Sequence, residues 1–243
     1  MRLLLTIQYK GTNFCGWQIQ PNCRTVQQTL ADAIFAVTGE NVTLHASGRT
    51  DAGVHALGQR VHFDSNIKIP PEKLPFALNT NLPDDLKVIA CEQVSNDFDA
   101  RFNVKRKTYV YKFYSSPHEN PMLFDGYAHL PIVPDYQKMR AAADVIEGEH
   151  DFKCCQATGG HVKTTVRTVY SIDIKKNGEI YEIAVTGNGF LYNMVRIIAG
   201  TIYYAGIGRI SEDDIKSAFL TNDRTKMGIT LEAKGLYLEK VMY

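Results

Sequence analysis

The sequence predicts a mixed α+β protein built as two α+β halves, residues 1–103 and 104–243. Three observations carry this. A short apolar run at residues 2–9 and alternating runs at 59–63 and 107–114, the latter with the period of two of strands half-buried on a sheet, read as strands. Capped stretches with apolar residues three and four apart, at 25–38, 135–146 and 211–220, read as amphipathic helices. Strands with an amphipathic helix before residue 98 are loosely echoed by strands with helices after residue 143, although no tandem repeat of fixed period appears.

The elements follow in order. Residues 2–9 form a first strand that Lys10-Gly11-Thr12-Asn13 ends. Thr25 and Gln28 form a capping box for a helix whose Val26, Leu30, Ile34 and Val37 share a face, stopped at Gly39. Residues 42–46 make a short strand, and 59–63 resume the sheet. Residues 70–78 read as a second helix interrupted at Pro75. Residues 86–94 are a strand. A basic cluster from Arg101 leads into a strand that begins at Lys107 and alternates aromatic with other residues. A helix over 135–146 puts Met139, Ala142, Ala143 and Ile146 on one face, and Glu147–Asp151 reads as its end and loop. Asn177-Gly178 is a hairpin signal between strands at 171–174 and 180–185. Residues 188–205 read as a long apolar helix, 211–220 as a helix capped by Ser211 with Asp214, and 235–241 as the closing strand.

Composition narrows the class. The chain has 243 residues, 44% hydrophobic and 22% charged, the balance of a soluble globular protein. No stretch approaches the roughly 20 apolar residues of a membrane span. The amino terminus reads as a strand and not as a signal peptide. Five cysteines, at 15, 23, 91, 154 and 155, include no Cys-x-x-Cys, so neither a disulfide framework nor a zinc knuckle is expected, and the reducing cytoplasm is the natural setting. Lys and Arg total 27 against 26 Asp and Glu. A formal net charge of +1 means that any basic surface for nucleic acid must be local, or must be assembled by pairing subunits.

The stretch that carries chemistry is Ser47-Gly48-Arg49-Thr50-Asp51-Ala52-Gly53-Val54-His55-Ala56-Leu57-Gly58-Gln59. It places a carboxylate on a glycine-dense loop that lets another molecule come close. Arg49, two residues before Asp51, adds a forked cation suited to phosphate. Most loop aspartates merely cap nearby N–H groups. Here Gly48 to His55 reproduces without mismatch the Gly-Arg-Thr-Asp-Ala-Gly-Val-His signature of tRNA pseudouridine synthases of the TruA type, and the chain resembles that family. Gly16-Trp17-Gln18, Tyr109 and Arg196 occur in family order around it.

The resemblance implies two related halves around a continuous, mainly antiparallel central sheet with helices on one side and an active-site cleft. It implies isomerisation of uridine to pseudouridine in the anticodon stem-loop of tRNA, by a homodimer, without metal or cofactor. It also implies the roles. Asp51 is the nucleophile, and Arg49 holds a phosphate or fills the space left by the flipped base. Tyr109, on the family's Tyr-x-Tyr strand, stacks on the target base, while Tyr111 and Tyr114 read as sheet aromatics. Arg196 lies in Phe190-Leu191-Tyr192-Asn193-Met194-Val195-Arg196, similar to the family's Phe-Leu-x-x-Met-Val-Arg run, whose arginine pairs with the catalytic aspartate. Asn193 and Ile197 depart from the family at positions where histidine and asparagine are common. Leu236 is an apolar wall of the pocket, and His55 a further substrate-side residue. Arg101, Lys105, Arg106 and Lys107, with Lys163, Arg167, Arg224 and Lys226, form the candidate phosphate-contacting surface.

Two other classes bear weighing. A non-catalytic RNA-binding protein on the same scaffold needs none of Asp51, Tyr109 and Arg196, and all three are present. A carboxylate glycosidase needs a second catalytic Asp or Glu that the motif lacks. Asp51, His55 and His62 lack the supporting ligand spacing of a metal set, so hydrogen-bonded or solvent-facing histidines are expected. Nothing in the sequence assigns a function to Cys154-Cys155.

Overall fold

The computed structural model describes residues 1–160 and 162–243. In chain order the elements are β1 (Arg2–Tyr9), α1 (Val26–Thr38), β2 (His45–Ala46), β3 (His55–Asp64), α2 (Leu74–Asn79), β4 (Leu86–Val94), β5 (Arg106–Tyr114), β6 (Ala128–His129), α3 (Tyr136–Ile146), β7 (Gly148–Asp151), β8 (Val166–Asn177), β9 (Ile180–Gly187), α4 (Met194–Gly206), α5 (Glu212–Thr221) and β10 (Leu236–Met242). The mixed α+β class read from the patterning holds. Two compact units form, one from Met1–Lys105 with Tyr237–Tyr243 and the other from Arg106–Leu236. No helix among the described residues is long and apolar enough to cross a membrane.

In the first unit the strand order is β4-β1-β3-β10, with β2 on β3. Strand β1 runs antiparallel to β3 and β4, pairing Leu5 with Val61 and Leu3 with Phe63. Strand β10 joins β3 in parallel through Tyr237–His55 and Leu238–Ala56. Leu3, Leu5 and Ile7 are fully buried with Val61, Leu30, Ile34 and Leu78. Each such side chain contributes about 1.5–3 kcal/mol of burial free energy, and Leu4 is buried as well, so β1 is covered on both faces.

Several local expectations change. The Thr25 hydroxyl accepts from Gln28 N at 3.4 Å, but the Gln28 side chain donates to Asp32 at 2.6 Å, so only one half of the expected capping box forms. Pro75 does not interrupt a helix; a 3-10 turn at Pro71–Lys73 precedes α2, and Pro75 sits in its first turn, where the missing N–H has no partner to lose. Strand β2 is shorter and β3 longer than the alternation suggests. Cys15 and Cys23 stand side by side across an eight-residue separation, with Cα atoms 6.2 Å apart. Counting cysteines could not reveal it, because the Pro21-Asn22 turn, with Asn22 at φ 59°, is what brings the two together.

The second unit orders its strands β5-β9-β8-β7, antiparallel throughout, with β6 added parallel to β5. Phe113 stacks on its cross-strand partner Tyr181 at 4.8 Å. The segment read as a loop after α3 is strand β7, paired to β8 from Gly148–Val169 to Asp151–Val166. The hairpin turn is Gly178-Glu179, since Asn177 still pairs with Ile180, and Gly178 takes φ 60°. Helix α5 has the full capping box between Ser211 and Asp214. Cys154 and Cys155 are buried in the 3-10 turn Phe152–Cys155.

Candidate active site

In the first unit the candidate residues Arg49 and Asp51 lie on the loop between β2 and β3. Residues 49–51 belong to no strand or helix, so other groups must hold their backbone. The Thr50 carbonyl accepts from Trp17 N at 3.0 Å, and Gly53 N donates to the Phe14 carbonyl at 3.3 Å. Val54 N closes a turn on the Asp51 carbonyl at 3.1 Å. This gives the Gly16-Trp17-Gln18 motif a physical reason. A Cβ on Gly16 would lie 2.6 Å from the Thr50 carbonyl oxygen, and Gly16 also takes φ 87°. Only glycine lets the two backbones meet there.

Side chains complete the fixation. Tyr9 and Thr50 share a buried hydroxyl–hydroxyl bond of 2.7 Å. Gln59, fully buried on β3, accepts from the Ser47 hydroxyl at 2.6 Å and donates to the Gly48 carbonyl at 2.8 Å. Burial pushes the Tyr9 hydroxyl up to about 12, against the neighbouring Thr50 and Gln59 side chains, which lower it. With Thr50 buried, Arg49 is exposed and Asp51 half-buried. His55 has 2% exposure, accepts Gly11 N–H at Nδ1 over 3.0 Å, and stacks on Tyr237 at 4.6 Å. It supports the loop from inside. His62 likewise accepts Ala100 N–H at 3.0 Å.

In the second unit, Tyr109 stands on β5 opposite Val185, 8% exposed, with the Phe190 ring edge-on at 5.2 Å. Tyr111 and Tyr114 are sheet aromatics: the Tyr111 hydroxyl donates to the Glu232 carbonyl at 2.8 Å, and that of Tyr114 accepts from Asn120 N at 2.8 Å. Helix α4 starts at Met194, six residues later than the apolar run suggests, because Asn193 takes the left-handed conformation at φ 60°. Arg196 therefore sits in the first turn. Its Nε donates to the Leu231 carbonyl at 2.6 Å and its Nη1 to Asn193 Oδ1 at 2.8 Å. A cation there adds to the positive end of the helix dipole, an unfavourable placement without a nearby anion. Residues 227–231 strap α4: Gly228 N donates to Thr201 Oγ1 at 2.9 Å, and Leu231 N to the Arg196 carbonyl at 3.4 Å. Leu236, buried, opens β10.

The basic residues divide by use. Arg101, Lys105 and Arg106 are exposed, Lys107 is half-buried, and Arg106 lies over the Tyr170 ring at 4.7 Å. Lys163 is exposed. Arg167 donates to the Thr164 and Val166 carbonyls. Arg224 binds the Gly228 carbonyl at 2.8 Å and Thr230, securing the strap, while Lys226 binds Ser217 on α5 at 2.6 Å. Sequence reasoning passed over Tyr9, Thr50, Gln59 and Phe190. A glutamine on a core-facing strand position was the available signal.

The family model for tRNA pseudouridine synthases matches residues 5–103 and 142–243. The chain belongs to the tRNA pseudouridine synthase family. The matched stretches include the Asp51 loop and Arg196, and Tyr109 falls between them. Similarity to members of the family runs the full length. The chain is 45% identical over 241 residues to tRNA pseudouridine synthase A of Thermoanaerobacter sp. strain X514, covering 99% of each. It is 44% identical over 243 residues to that of Ruminiclostridium cellulolyticum, covering 100% of this chain and 99% of the relative. The Bacillus pumilus protein of that name is 44% identical over 245 residues, with the same coverage. Among solved structures, one chain of a Cbf5-Nop10-Gar1 complex aligns with TM-score 0.41 and 13% identity, over 97% of this chain and 57% of that one.

Proposed function

We propose that this member of the family converts uridine to pseudouridine in the anticodon stem-loop of tRNA, in the cytoplasm, as a homodimer. The observation that carries the reading is the fixed loop that turns Thr50 inward, with Arg49 exposed and Asp51 half-buried on either side of it. The isomerisation breaks N1–C1′, forms C5–C1′, removes the proton from C5 and returns one to N1. Atoms balance, so no cofactor enters. The reaction requires a nucleophile to hold the intermediate, and the Asp51 carboxylate supplies it at C1′ or at C6. The target base must leave its stack. Arg49 binds phosphate or occupies the vacated space, and Tyr109, its ring held edge-on by Phe190, stacks on the extruded base, a contact of about 1–3 kcal/mol.

Arg196 pairs with Asp51 in this reading. The guanidinium, already oriented by Leu231 and Asn193, favours the ionised carboxylate that the chemistry needs. Leu236 walls the pocket. Arg101, Lys105, Arg106 and Lys107 contact phosphates and set register without reading sequence. With a net charge of +1, pairing two subunits extends that basic surface.

The test is tritium release from tRNA labelled at C5 of uridine, with single uridines replaced in turn. Wild-type protein should release label only from anticodon stem-loop positions. Asp51→Ala should release none while still binding tRNA. Release by Asp51→Ala at the wild-type rate would overturn the assignment, and a fully active monomer in light scattering would overturn the dimer.

A further inference from the structure

We propose that Tyr9, Thr50 and Gln59 are positioning residues that aim the Asp51 carboxylate and the Arg49 guanidinium, an inference that rests on the catalytic reading of that loop. Loop residues 49–51 have no ladder to define their side-chain directions. The definition comes from two neighbours. Gln59 ties Ser47 and Gly48 to β3 through both ends of its amide, at 2.6 and 2.8 Å. Tyr9, from β1, ties the Thr50 hydroxyl at 2.7 Å. Arg49 thus lies between two anchored residues, and Asp51 directly follows one.

The anchors act on one short stretch, Gln59 at Ser47 and Gly48 and Tyr9 at Thr50. All three side chains are buried, Gln59 completely, Tyr9 at 4% and Thr50 at 6% exposure. A phenol hydroxyl stays protonated throughout the physiological range, and burial pushes this one higher still, so this bond survives changes of pH that would disrupt a histidine or carboxylate anchor. The Thr50 backbone is fixed independently through Trp17 N. Removing the hydroxyl bond leaves the Trp17 amide as the remaining tie on Thr50, so the loop loosens around that tie without unfolding. An active-site displacement of about 1 Å can lower a rate by up to about 100-fold.

The experiment is single-turnover pseudouridine formation by Tyr9→Phe, Thr50→Val, Thr50→Ser and the double variant Tyr9→Phe/Thr50→Val, at a temperature where each is fully folded. Tyr9→Phe and Thr50→Val should each lose about tenfold in rate, with the KM for tRNA within about twofold. Thr50→Ser restores the hydroxyl and should regain most of the rate. The double variant should be little worse than either single, because both remove one bond. A protein merely destabilised would show its loss in the unfolding midpoint and not in the rate of folded enzyme. Thr50→Val within twofold of wild type, or a double variant showing the product of the two losses, would overturn the proposal. Hydrogen exchange at the Trp17 and Gly53 amides supplies a readout free of catalysis. Thr50→Val should accelerate it several-fold even if the wild-type protein formed no pseudouridine, a result that would refute the catalytic reading alone; unchanged exchange in every variant would refute positioning.

Discussion

Replacing Gly200 with alanine sets two effects of opposite sign against each other. Alanine is the better helix former by about 1 kcal/mol, so propensity alone stabilises α4. Gly200, however, faces the strap that holds Arg196. An added Cβ would lie 2.0 Å from the Ile229 carbonyl oxygen and 3.1 Å from its carbon. The strap must withdraw by more than an ångström, since its backbone cannot turn aside as a flexible side chain would. Overpacking of this kind costs about 1–3 kcal/mol. Loosening the Gly228–Thr201 and Arg196–Leu231 bonds, at 2.9 and 2.6 Å, adds about 1 kcal/mol each. The balance is a destabilisation of about 2–4 kcal/mol after the propensity gain. Guanidinium unfolding followed by near-UV circular dichroism measures it. Thr201→Val serves as a companion, because it leaves the buried Gly228 N–H unpaired without adding volume and should cost about 1–3 kcal/mol. If Gly200→Ala unfolds at or above the wild-type midpoint, the strap is not packed against α4 as described, and Leu231 does not orient Arg196.

Three further outcomes are expected. Tyr109→Phe should keep base positioning and most turnover, whereas Tyr109→Leu should lose most of it; equal inactivity would move the role from the ring to the hydroxyl. On the proposed pairing with Asp51, Arg196→Met should shift the acid limb of the single-turnover pH profile upward, and Arg196→Lys should be impaired with a smaller shift; an unchanged limb in Arg196→Met excludes the pairing. His62 is held below the ordinary value of 6.5 by burial and then by His45 and Arg2, opposed by Asp99 and Asp64. The unfolded chain takes up its proton more readily, so stability from this group is full above about pH 6.5 and falls as pH drops through and below it. Urea unfolding between pH 7.5 and 5 should show that decline, and His62→Gln should flatten it.

The strands β1 and β4 were legible to the residue because each is bounded by turn chemistry and carries its own apolar pattern. The Asp51 octapeptide was legible because its glycines, cation and carboxylate stand in one contiguous run. What sequence did not reveal depends on partners far along the chain. Helix α4 begins at Met194 because Asn193 takes a left-handed turn, and an apolar run does not announce that. Gln59 looks like any strand polar residue until Ser47 and Gly48 are seen on either side of its amide. Arg224 and Lys226 read as surface cations, yet Arg224 binds the strap and Lys226 binds Ser217 on α5, uses that only the path of the chain discloses.

The first unit is discontinuous in sequence, since Tyr237–Tyr243 belong to it while Arg106–Leu236 make the second. On a ribosome, β3 is therefore synthesised long before β10, and the edge at His55 and Ala56 waits without its parallel partner. During that interval the His55 ring, which holds Gly11 beneath the Asp51 loop, lacks the Tyr237 face that stacks on it. An unpaired edge is open to wrong partners. The nascent chain thus carries an incompletely supported Asp51 loop until Tyr237 and Leu238 emerge, and translation of that strand governs when the loop first has a settled place.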